Sequence, residues 1–210
     1  MHYIPAFRRY RADSATSLRQ LNAYISSREK YSRLITMEAY ASRWAALGEA
    51  HSQRLDRLAK LAAPPANDSS PPSTSYLCSQ LHKTCPEDTI WCIEAVSNAR
   101  FVYEQLQVDK PGHLVNGGGG GLGWSGGATI GVKLATDWLA GGTKKGKFVC
   151  GIIGDGTYMF GVPGTVYWIA RRYNLPTLTV VLSNKGLCFP FIRSPLSLLS
   201  GNCSINLILH

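Results

Sequence analysis

The 210-residue, 22.9-kDa chain is 45% apolar, an ordinary globular share that excludes a disordered polymer and leaves room for one full domain with an annex. Charged residues make up only 17%, and much of the +9 formal charge lies at the front, where residues 1–62 hold eleven Lys/Arg against five Asp/Glu. Residues 76–187 are nearly balanced, at ten against seven, so a nucleic-acid footprint is not expected; only Arg8-Arg9-Tyr10-Arg11 comes near a basic stripe with aromatic interleaving.

Two helical patterns open the chain. Over 14–27, Leu18, Leu21 and Ile25 recur at helical spacing behind Asp13 and Ser14, both good N-cap residues. Over 36–62 the apolar set Met37, Tyr40, Ala41, Trp44, Leu47, Leu58 and Leu61 is also helical. Residues 63–75 carry four prolines among Ser, Asn and Asp, which cannot propagate a helix or strand, so a linker and a domain boundary fall there.

Beyond the linker, short apolar runs alternate with amphipathic segments. Strands are expected over 89–93, 113–116, 147–153 and 177–182, and helices over 98–107, 126–139 and 162–173. Continuous apolar strands separated by helices predict an α/β fold over 76–187, a parallel sheet with helices on both faces, preceded by the helical segment 1–62. Ligands of such sheets bind outside the carboxyl ends of the strands, where the loops 116–127 and 154–161 belong. The tail 188–210 has one charged residue, Arg193, and shows no clean period. It is expected to be divergent and irregular, as a read-through intron or frame error would make it.

No apolar run approaches the roughly 18–20 residues of a membrane helix, and the N-terminus has no apolar signal core. The six cysteines form no Cys-x-x-Cys pair and no zinc spacing with histidine. Cys92 and Cys150 lie in apolar runs, where thiols behave as small hydrophobes. Reduced cysteines in a cytoplasmic protein are the expectation, with an organelle left open.

Two motifs carry chemistry. The string Gly117-Gly118-Gly119-Gly120-Gly121-Leu122-Gly123-Trp124 allows close backbone approach to a ligand. It matches a dinucleotide fingerprint only formally. The acidic residue expected about 20 positions on is replaced by Gly142-Thr143, which disfavours a nicotinamide-dependent dehydrogenase. The second motif is Gly154-Asp155-Gly156-Thr157, answered by Ser183-Asn184-Lys185-Gly186 after the next strand. Asp and Asn at the ends of adjacent parallel strands can offer hard oxygen ligands to one Mg²⁺ or Ca²⁺. The neighbouring glycines and a hydroxyl suit a diphosphate at a helix N-terminus.

Gly154-Asp155-Gly156 with Asn184-x-Gly186 resembles the cofactor and magnesium motif of thiamin-diphosphate-dependent enzymes. The glycine string is similar to the Gly-Gly-Leu-Gly-Trp element of their acetolactate synthase, benzoylformate decarboxylase and pyruvate decarboxylase branch. The resemblance covers about 76–187, and more loosely 1–62 resembles the end of a middle domain. It implies thiamin diphosphate and Mg²⁺ as cofactors, with Asp155, Asn184 and the Gly186 carbonyl as metal ligands. It implies that Gly156 and Thr157 donate to the diphosphate, that Leu122 wedges the cofactor into its bent form, and that the Gly120 carbonyl accepts from the 4′-amino group. The bound ring would then act as electron sink for a 2-keto acid, giving decarboxylation or carboligation.

The family's catalytic glutamate sits on a separate pyrimidine-binding domain. Neither Glu94 nor Glu104 matches its surroundings, so no catalytic residue is assigned. Family sites form between subunits, which implies a homo-oligomer or pairing with a subunit that carries the pyrimidine domain. The expectation is a truncated product; the rival is a non-catalytic fragment or a regulatory partner of an intact paralogue.

Overall fold

Asp13 sets the first helix: its Oδ1 accepts from Thr16 N at 2.8 Å, satisfying one of the donors a helix start leaves free. The computed structural model describes residues 5, 7–67 and 69–183, and the backbone of 204–209. They divide into two units, 1–56 and 57–210. The first holds α1 (Ser14–Ser27), α2 (Glu29–Ile35) and most of α3 (Glu38–Leu61). No residue of α1 or α2 is buried, so the apolar stripe of Leu18 and Leu21 faces outward.

The second unit takes the last turn of α3, where Leu58 is buried and its carbonyl accepts from Gln105 Nε2 at 2.9 Å. Helix α4 (Thr74–Thr84) follows, capped by Ser73 Oγ, which accepts from Tyr76 N at 3.1 Å. It begins inside the stretch read as linker, and Thr74 and Ser75 are already buried. Strand β1 (Ile90–Glu94), α5 (Ala99–Leu106), β2 (Leu114–Val115), α6 (Trp124–Leu139) and β3 (Val149–Gly154) come next. Then come α7 (Asp155–Phe160), α8 (Pro163–Arg172) and β4 (Leu178–Ser183).

The sheet order is β2-β1-β3-β4, all parallel, extended by β5 (Ser204–Leu209) antiparallel on β4. The continuous apolar runs of β1, β3 and β4 are buried almost throughout, as strands covered on both faces must be. On one face Trp91, Cys150, Ile152 and Val180 pack with Cys78 and Leu81 of α4 and Val102 and Leu106 of α5. On the other, Cys92 and Val149 meet Val132 of α6, while Ile130 of α6 packs with Ala170 of α8 and with Leu175. Each fully buried Val, Leu or Ile in these layers contributes about 1.5–3 kcal/mol.

An ion pair fastens α6 to the start of β3. Lys133 and Asp137 are both buried, with Nζ and Oδ1 3.0 Å apart. Asp137 accepts from the N–H groups of Lys144 and Gly146, and Lys133 donates to the carbonyls of Gly146 and Lys147. Gly146 lies so close to α6 that a Cβ there would stand 2.3 Å from the Thr136 carbonyl carbon.

Besides α2 and α4, which were not expected as helices, two segments differ from expectation. The segment 154–161 is not a loop: α7 starts directly at the end of β3, with Gly156 N donating to Asp155 Oδ1 at 2.8 Å. The tail is not irregular throughout, because the backbone of Ser204–Leu209 pairs with all of β4. Residues 188–203 lie outside the described residues.

Candidate functional site

Parallel pairing brings four strand ends to one edge. The register Glu94↔Ile153 and Gly154↔Leu182 lines up Glu94, Asp155 and Ser183, and the glycine string leaves β2 beside them. Gly118 and Gly123 take φ of +62° and +102°. A Cβ on Gly123 would lie 2.8 Å from the backbone carbonyl of Phe160, so the glycine turn rests directly on the end of α7. The 116–127 and 154–161 segments therefore meet at this edge.

Asn116 supports the turn, accepting from Gly118 N at 3.2 Å and donating to Tyr103 Oη at 3.2 Å. Trp124 lies under Gly117. Gly120 and Gly121 are exposed, with open space where a side chain would stand; Leu122 is half-buried. An open cleft of about 200 Å³ runs between the turn and the start of α5, lined in part by Glu94, Val96, Tyr103, Asn116, Gly121 and Trp124. The N–H groups of the first turn of α5 have no partners within the helix, which suits that end of the cleft to an anion.

Glu94 is engaged at both oxygens. Oε1 accepts from Gly123 N at 2.9 Å and Oε2 from Ser125 N at 2.7 Å. Glu104 pairs with Arg57 and Arg100. Sequence reasoning gave Glu94 no role; the signal was its place at a strand end, opposite a helix whose N-cap is a glycine without a side chain.

Asp155 points across to β4: Oδ2 accepts from Ser183 Oγ at 3.0 Å. Gly156 is half-buried, and Thr157 is buried with its carbonyl accepting from Gly161 N. Asn184 and Gly186 lie outside the described residues. Among the described residues no three His, Cys, Asp or Glu side chains could hold a metal ion, and no helix is long and apolar enough to cross a membrane. Among the described residues of the motif, Asp155 is a hard-oxygen donor of the kind Mg²⁺ takes. Asp155 carries two carboxylate oxygens at the strand end, and Ser183, its partner, immediately precedes Asn184.

A parallel sheet with a glycine turn and an aspartate at adjacent carboxyl ends defines an α/β cofactor-binding domain. Residues 95–190 match the family model for the thiamine pyrophosphate enzyme C-terminal TPP binding domain. A benzoylformate decarboxylase of Pseudomonas aeruginosa is 30% identical over 99 residues, covering 47% of this chain and 17% of the relative. Among solved structures, a Mycobacterium smegmatis protein described as thiamin diphosphate-dependent superposes with a TM-score of 0.50 at 25% identity. That match covers 60% of this chain and 23% of the other. Benzoylformate decarboxylase from Polynucleobacter necessarius shares the fold, with a TM-score of 0.50 at 18% identity over 63% of this chain and 26% of its own. The chain thus spans less than a third of the length of each.

Proposed function

We propose that the domain over 76–187 binds thiamin diphosphate through Mg²⁺ and forms the diphosphate half of a 2-keto acid decarboxylase or carboligase of the acetolactate synthase-like kind. The observation that carries this reading is the contact of the glycine turn, at Gly123, with the end of α7, the helix that Asp155 begins, Asp155 being hydrogen-bonded to the last residue of β4. Asp155 and Asn184 hold the cation through side-chain oxygens and Gly186 through its carbonyl. Gly156 and Thr157 meet the diphosphate. Leu122 holds the cofactor bent, and the Gly120 carbonyl orients its 4′-amino group. Bound thiamin diphosphate would supply an electron sink next to the former keto carbon. The likeness to a benzoylformate decarboxylase supports a 2-keto acid as substrate.

A second reading has its own support. Both glutamates weighed for the catalytic role are taken up by other partners in this chain. This favours pairing in the cytoplasm with a subunit that brings a pyrimidine domain, such as an intact paralogue, over a homo-oligomer of this chain. Thermal unfolding tests the cofactor assignment. Thiamin diphosphate with Mg²⁺ at about a hundredfold its Kd should add about 2.7 kcal/mol and raise the midpoint. Thiamin without its diphosphate, or the full cofactor with a chelator, should leave it unchanged. Equal shifts from thiamin and thiamin diphosphate would reject the diphosphate site.

A further inference from the structure

We propose that Glu94 is the positioning residue of the glycine turn, a cap lent by β1 to α6. Helix α6 begins at Gly123, whose left-handed φ and contact with the Phe160 backbone admit only glycine, so the N-cap has no side chain to satisfy the first N–H groups. Glu94 meets that need from the neighbouring strand, one oxygen on each of two N–H groups that flank Trp124. The carboxylate also favours the positive end of the helix. Three strand ends are thereby locked together: β1 through Glu94, the turn after β2 through Gly123, and β3 through α7. The spacing of Gly120 and Leu122 from Asp155 depends on this clamp.

The inference rests on the cofactor reading for its purpose, though not for its geometry. Amide exchange of the unmodified chain tests the geometry: Gly123 and Ser125 should exchange at least tenfold more slowly than Gly119, Gly120 and Gly121. In Glu94→Gln one N–H must face an amide NH₂, and in Glu94→Asp the shorter side chain cannot reach both. Each should speed exchange at Gly123 or Ser125 at least tenfold, leave the β3 amides unchanged, and weaken thiamin diphosphate–Mg²⁺ binding at least tenfold in a mixture with a full-length relative. Loss of binding in Glu94→Asp, which keeps the charge, separates reach from electrostatics. Unprotected Gly123 and Ser125 amides in the unmodified chain, or unweakened binding by both variants, would overturn the proposal. If the unmodified chain takes up no cofactor, the functional reading and the purpose of the clamp both fall, while protected amides would still report the clamp itself.

Discussion

At Gly123 the backbone is left-handed and crowded at once, a combination no other residue tolerates. Gly123→Ala would add about 1–3 kcal/mol of backbone strain and a similar overpacking cost against Phe160. A fall of about 2–6 kcal/mol in urea-denaturation stability is expected; a change under 0.5 kcal/mol would mean that the turn is not packed as described. The sequence announced glycines here but not which one was indispensable, because the run Gly117–Gly121 drew attention away from Gly123, which touches α7. Asp137 is a different case. Burial alone would raise its carboxyl, but hydrogen bonds from Lys144 N, Lys133 and Gly146 N, with the Lys133 charge, outweigh it and hold the group below its ordinary value. A depressed folded value means that its stability contribution is complete above the unfolded value of about 3.9 and is lost as pH falls through the folded one. Asp137→Asn leaves Lys133 buried without its counter-charge, so about 3–5 kcal/mol should be lost at pH 7, with a shallower acid limb below about pH 4. Denaturant midpoints measured against pH check both; an unchanged acid slope would discount the pair.

At the scale of elements, the strands were legible because a sheet covered on both faces demands unbroken apolar runs, and Trp91-Cys92-Ile93 and Val180-Val181-Leu182 are such runs. Helix α4 was hidden by the proline-rich stretch before it, although Ser73 and the Leu77, Cys78, Leu81 spacing are the usual signs of a capped helix. Helix α7 could not have been read from period. Six residues give barely more than one hydrogen-bonded turn, and its place comes from contact with β3, β4 and the glycine turn. In the tail, Ser204, Ile205, Asn206 and Leu207 alternate, but Ile208 breaks the period after only four residues, and the unpatterned residues before it obscured the rest. An antiparallel edge strand directs every second N–H at its neighbour. Amide exchange over 204–209 should therefore alternate between slow and fast; uniformly fast exchange would show that the segment does not pair.

At the scale of the molecule, the two motifs were readable from sequence and so was their place at one edge of the sheet, and residues 95–190 match the family model of the TPP binding domain. The clamp by Glu94 was not readable, since it joins residues 29 and 31 positions apart that only the parallel crossover brings together. Asn184 and Gly186 lie outside the described residues, so the cation set rests on Asp155 and on register. On the proposed reading the catalytic glutamate comes from another subunit, so the 210-residue protein alone should turn over neither pyruvate nor benzoylformate. Product formation by homogeneous protein would show that the assignment of roles is wrong. The most direct measurement is calorimetric titration of thiamin diphosphate into the chain mixed with a full-length relative, with Mg²⁺ or with chelator, for the native sequence and for Asp155→Ala. The account predicts saturable binding to this chain that requires Mg²⁺ and vanishes in Asp155→Ala while the fold persists by circular dichroism. Binding that is indifferent to Mg²⁺ and to Asp155→Ala would contradict it, and Asp155 would then be a turn residue only.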